Sequence, residues 1–154
     1  ASSGVSRDAS SGGSRDASER IAIARGAFGA WEGTGFPLRF SFTPDSTRAD
    51  IHVTWVDRFE SLTSGMTSWA HDQHGWIIGG GVRLAEHQPD GRPLDAASLA
   101  AIARHEVGHL IGLDHTTDER HIMSARVRVV ELSEADRETL RLVYALPPGS
   151  LKGR

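Results

Sequence analysis

His105-Glu106-Val107-Gly108-His109-Leu110-Ile111-Gly112-Leu113-Asp114-His115 is the stretch around which the rest of the chain can be organised. Residues four apart lie on one face of an α-helix, stacked one turn from each other. His105 and His109 can therefore offer imidazole nitrogens to a single ion. Glu106 projects beside them, an offset that suits a base acting on water held at a metal. Gly112 can adopt the left-handed conformation that ends a helix and turns the chain sharply, which would return His115 toward the same ion. Three protein ligands and one open position describe catalytic zinc, whereas structural zinc is usually closed by four. A core helix carrying the same residues without a metal would bury unpaired polar groups at considerable cost.

Working outward, Asp95 can cap this helix, which runs on to about Gly112. Upstream, two segments alternate apolar and polar residues as half-buried strands do: residues 37–42 (PLRFSF) and 49–55 (ADIHVTW), with a turn at Pro44 and Asp45. Residues 65–71 and 76–86 read as two further strands, and Gly79, Gly80 and Gly81 inside the second suggest a bulge or a close backbone approach. An earlier helix begins near Ser18, where Asp16 or Ser18 can cap a stripe of Ile21, Ala24, Phe28 and Trp31, and it ends at Gly33 and Gly35. A last helix starts at the capping-box pattern Ser133-Glu134-Ala135-Asp136 and stops at Pro147 and Pro148, with Leu140, Val143 and Tyr144 as its buried face. The order is helix, four strands, helix, irregular segment, helix, an α+β arrangement.

The N-terminus differs in kind. Residues 2–9 (SSGVSRDA) and 10–17 (SSGGSRDA) form an imperfect repeat of small and polar residues. Such a segment buries too little apolar surface to offset its ordering entropy, so residues 1–17 are expected to be a flexible linker or tail and 18–154 the folded domain.

Composition narrows the function classes. The chain has 154 residues, enough for one ordinary domain, with 38% hydrophobic and 24% charged residues, as in soluble globular proteins. No apolar run approaches the roughly eighteen residues of a membrane span. A net charge of -3 and the absence of a basic stripe argue against nucleic acid as partner. There is no cysteine, which removes disulfides, Cys-ligated zinc and cysteine nucleophiles from consideration.

The histidine stretch, followed eight residues after His115 by Met123 within Ile122-Met123-Ser124, resembles the metzincin clan of zinc peptidases, and the short spacing is most similar to its matrixins. WEGTGFPLRF, ADIHVTWVDRF and LSEADRETLRLVYALPPG extend the resemblance from about Ser18 to Leu151. It implies a twisted mixed sheet of four to five strands with three helices, and one catalytic zinc on His105, His109 and His115. It also implies an apolar floor beneath the metal at Met123, endopeptidase activity on an extended polypeptide, and secretion. The resemblance further places substrate contacts along Gly65, Met66, Thr67, Ser68 and Trp69, and a pocket wall at Ser124, Ala125, Arg126 and Val127. Animal matrixins carry histidines for a second, structural zinc. Two of those positions fall on Ser68 and Gly81, so that ion is expected to be absent. Structural calcium is common in the family, yet no ligand loop for it stands out. The N-terminal repeat is a poor candidate for the family's first strand.

The expected chemistry is metal-assisted amide hydrolysis with Glu106 as general base. The competing reading is a catalytically silent module that keeps the zinc and binds peptides. A monomer is the default expectation. His71 and His74, flanking a turn near Asp72, are weaker metal candidates. His52 should face solvent on its strand, and Asp114 could orient an imidazole.

Overall fold

A computed structural model of the chain describes residues 16–147. Most of the expected tail, residues 1–15, lies outside them, as does Pro148.

Helix α1 spans Ala17–Glu32, and its N-cap is Asp16, whose carboxylate accepts from the Glu19 amide. The buried stripe is Ile23, Ala27, Phe28 and Trp31, so Ile23 replaces Ile21, which is 55% exposed. Positions 23, 27 and 31 keep the four-residue spacing of one helix face, and Ile21 falls off it. Trp31, with no exposed surface, donates its indole N–H to the Arg104 carbonyl at 2.9 Å and so ties α1 to the histidine helix.

Three strands follow: β1 (Ile51–Val56), β2 (Gly65–His71) and β3 (Ile77–Ala85). Among the described residues they form one sheet in the order β1-β3-β2, with β1 parallel and β2 antiparallel to β3. The sheet is mixed, as expected, but has three strands rather than four to five.

The missing member is residues 37–42. Their alternation does deliver Leu38 and Phe40 to the core, and the Phe40 ring meets Phe28 edge-on at 4.8 Å. Their amides are committed elsewhere: Leu38 N–H donates to the Phe36 carbonyl and Phe40 N–H to the Glu32 carboxylate at 2.6 Å. Alternation brings side chains inward, but a strand also requires a backbone ladder.

The glycine run in β3 shows both expected features. The register slips near Ala70 and His71, opposite Gly79 and Ile77. At Gly80 a Cβ would come within 2.5 Å of the Ser68 carbonyl and 2.8 Å of Leu110 Cδ1. Only a residue without a side chain lets the histidine helix lie so close to the sheet.

That helix, α2 (Ala96–Leu110), is capped by Asp95 and packs between α1 and the sheet, with Leu99, Ala103, Val107 and Leu110 in the core. Helix α3 (Glu134–Ala145) closes the domain. Its capping box forms as the sequence suggests, between Ser133 and Asp136. Leu140 is fully buried, Val143 half-buried, and Tyr144 sits at the rim with its hydroxyl donating to the Ile111 carbonyl at 3.1 Å.

Candidate metal centre

The last two turns of α2 carry His105, Glu106 and His109. The helix ends at Leu110, and Gly112 takes a φ of +97°, a conformation that strains any residue with a side chain. Leu113 N–H then returns to the Gly108 carbonyl at 3.0 Å, and the chain swings round to present His115. The Asp114 carboxylate accepts from the His115 backbone amide at 2.8 Å, so it steadies this turn rather than an imidazole.

The three Nε2 atoms converge. His109 lies 3.0 Å from His105 and 3.0 Å from His115, and His105 and His115 are 3.2 Å apart. Ligands at about 2.0–2.1 Å around a tetrahedral ion are separated by roughly 3.3–3.4 Å, so the spacing suits zinc. The remaining ring nitrogens strengthen the case. His105 Nδ1 is 2.7 Å from the Ile122 carbonyl and His109 Nδ1 2.9 Å from the Leu113 carbonyl. A carbonyl can only accept, so both Nδ1 atoms carry the proton and both Nε2 atoms present lone pairs. Lone pairs aimed at one another repel unless a cation lies between them. Burial reinforces the neutral forms, pushing His105 down to about 4 against the opposing Ile122 hydrogen bond, and lowering His115 as well. The donor set fits a zinc ion.

Glu106 is buried on the same side of the helix, and burial raises its pKa, opposed by a hydrogen bond from Thr67. A carboxylate beside three metal-ready imidazoles can take up and return a proton. It opens, with the histidines, onto a cleft of about 630 Å³.

Beneath the site, Met123 is buried and its Sδ presses on Gly108, where an added Cβ would overlap it. Thr116 N–H donates to the Met123 carbonyl at 2.9 Å, joining the His115 turn to the methionine turn. Met123, where the resemblance implies an apolar floor, is thus a buried side chain packed on the histidine helix.

The remaining expected site residues divide. Gly65 and Thr67 face Glu106, and the Trp69 indole donates to the His109 carbonyl at 2.9 Å. Met66 and Ser68 alternate to the opposite face of β2 from Thr67, so their side chains do not line the cleft. Ala125, Arg126 and Val127 line the cleft. Ser124 does not: it is buried, and its hydroxyl accepts from the Arg126 amide. The weaker metal candidates stay apart from the centre. His74 lies 3.5 Å from Asp72, and among the described residues only His105, His109 and His115 cluster with metal-binding geometry.

Two contributors escape a reading of motifs alone. Ile102, three residues before His105 and hence on its helix face, lines the cleft, and the spacing could have revealed it. Asp136 is the other. Beyond capping α3, its Oδ2 accepts from the Ile122 amide at 3.1 Å, while the Ile122 carbonyl holds His105. No local pattern reports that contact.

An α+β domain with three convergent histidines on a short helix and its return turn defines a candidate metal-binding domain. The Matrixin family model matches residues 9–145, and the chain belongs to the matrixin family. Metalloendoproteinase 1 of Glycine max is 33% identical across 56% of this chain and 27% of its own length. Macrophage metalloelastase of Oryctolagus cuniculus is 25% identical across 60% of this chain and 27% of its own length. The chain thus spans about a quarter of each of these curated relatives.

Proposed function

We propose that this domain is a zinc-dependent endopeptidase that binds one zinc ion through His105, His109 and His115 and cleaves extended polypeptides, with Glu106 as general base. The observation that carries the reading is the convergence of three Nε2 lone pairs beside a buried carboxylate, at the edge of an open cleft. Zinc held there supplies Lewis-acid polarisation of the scissile carbonyl and of the attacking water.

The chain's own residues account for the rest. Glu106 accepts the proton of the attacking water and delivers it to the leaving nitrogen, so the amide departs as an amine and the carboxylate is regenerated. Strand β2 lies at one end of the sheet order among the described residues, which leaves its outer edge free for an extended peptide to pair as an added strand. That pairing is independent of side-chain sequence. Discrimination falls to the cleft, walled by Ile102, Ala125, Arg126 and Val127. In keeping with the family resemblance, the site of action is outside the cell.

The test is hydrolysis of a mixed fluorogenic peptide library by wild type and Glu106→Ala, with zinc content measured on the same samples. One zinc in both, with chelator-sensitive cleavage only in wild type, is the expected result. One zinc in both with no cleavage in either would identify a silent peptide-binding module instead.

A further inference from the structure

Thr67 stands on the edge strand, and its side chain turns inward. Its Oγ1 lies 2.6 Å from Glu106 Oε2 and 2.9 Å from the Glu106 main-chain carbonyl. A threonine hydroxyl has one proton to donate, and a carboxylate is the stronger acceptor. Among the described residues, no other side chain hydrogen-bonds this carboxylate.

Two residues earlier on the same face, Gly65 contacts the other oxygen: a Cβ there would come within 2.5 Å of Glu106 Oε1 and 2.7 Å of its Cγ. Strand β2 therefore grips Glu106 at two points, with a hydroxyl on Oε2 and bare backbone against Oε1. A glutamate side chain has three rotatable bonds, and holding it in one orientation costs rotamer entropy that an anchoring contact must offset. The β-branched threonine is well suited to fixing it, because its own χ1 is stiff and sets the donor in place.

We infer that Thr67 is a positioning residue, whose hydroxyl holds the Glu106 carboxylate by Oε2 and, with Gly65 against Oε1, fixes it in one orientation beside the histidines. The inference rests on the general-base role proposed above. It moves Thr67 from the contacts with substrate to the support of the base. It also explains why a polar residue occupies this inward position of a strand packed on the histidine helix.

The experiment compares zinc-loaded wild type, Thr67→Val and Thr67→Ser in two ways: steady-state peptide hydrolysis, and crystal structures of the zinc-loaded proteins. Valine keeps the shape and removes the donor. Thr67→Val should retain one zinc and a KM within twofold of wild type, while kcat falls about tenfold or more. Thr67→Ser should recover kcat to within about threefold. The Glu106 carboxylate should occupy one position in wild type and Thr67→Ser and spread over several in Thr67→Val. An undisplaced carboxylate in Thr67→Val, or a kcat within twofold of wild type, overturns the inference. If Thr67→Val does not fold, Thr67→Ala replaces it under the same criteria. If wild type cleaves nothing, the general-base reading fails, and carboxylate order alone decides whether Thr67 positions it.

Discussion

Gly108 lies against the sulfur of Met123, so closely that a methyl group on the glycine would occupy the space of Sδ and crowd Trp31 Cζ2 at 3.0 Å. The histidine helix can rest on the methionine turn only because position 108 has no side chain. Met123 and Trp31 are both buried and have little freedom to withdraw.

Gly108→Ala should therefore destabilise the domain by about 1–3 kcal/mol through overpacking, despite alanine's better helix propensity. Thermal unfolding with and without added zinc checks this. A variant as stable as wild type would mean that the methionine turn moves aside freely.

Asp136 links the last helix to the metal centre. Its Oδ2 accepts from Ser133 N–H, Ser133 Oγ–H and Ile122 N–H, at 2.8, 2.7 and 3.1 Å. Removing a buried acceptor leaves donors unsatisfied at about 1–3 kcal/mol. Asp136→Ala should lower stability by at least that much and weaken zinc binding about tenfold, because the Ile122 carbonyl that orients His105 loses its anchor. Zinc affinity by competition with a chelator provides the measurement. Unchanged affinity in a folded variant would confine Asp136 to capping.

The metal-free protein should be sensitive to acid in a defined window. Burial holds the folded-state pKa of His105 at about 4, whereas an unfolded histidine titrates near 6.5. Between these values the unfolded chain takes up a proton that the folded one refuses. Stability from this group is thus intact above about pH 6.5 and lost as pH falls toward 4, by roughly 2–3 kcal/mol. Urea unfolding of chelator-treated wild type and His105→Gln at pH 7.5 and 4.5 isolates the effect. The wild-type loss should exceed that of the variant by about this amount, and equal losses would refute it.

Arg126 should bias the choice of substrate. It lines the cleft beside Val127 and forms no ion pair among the described residues, whereas Arg128 is paired with Glu119 at 2.8 Å. Peptides with an acidic side chain next to the scissile bond should be cleaved better than their lysine counterparts, and Arg126→Glu should reverse that order by about tenfold. Cleavage-site mapping on matched peptides is the check. An unaltered ratio would place the guanidinium outside the recognition of substrate.

The histidine helix, its Asp95 cap, the turn at Gly112 and the capping box at Ser133 were legible because each rests on short-range rules: helical spacing, capping donors, and a glycine where φ is positive. Residues 37–42 were misread for the complementary reason. Alternation reports which side chains go inward but is silent on whether a neighbouring backbone is present, and here the Glu32 carboxylate took the Phe40 amide. Ser124 went astray in a similar way, since a position beside Met123 does not show that its side chain is buried.

By itself the sequence determined the candidate ligand set, the helix that displays most of it and the α+β class, because spacing along one chain dictates which residues share a helical face. The tertiary structure decided how that set is supported: Thr67 on Glu106, Ile122 and Asp136 behind His105, and Gly108 over Met123. These partners lie between 14 and 39 residues apart for the hydrogen-bonded pairs. Contacts at such separations are set by how helices and sheet pack, which no local periodicity encodes.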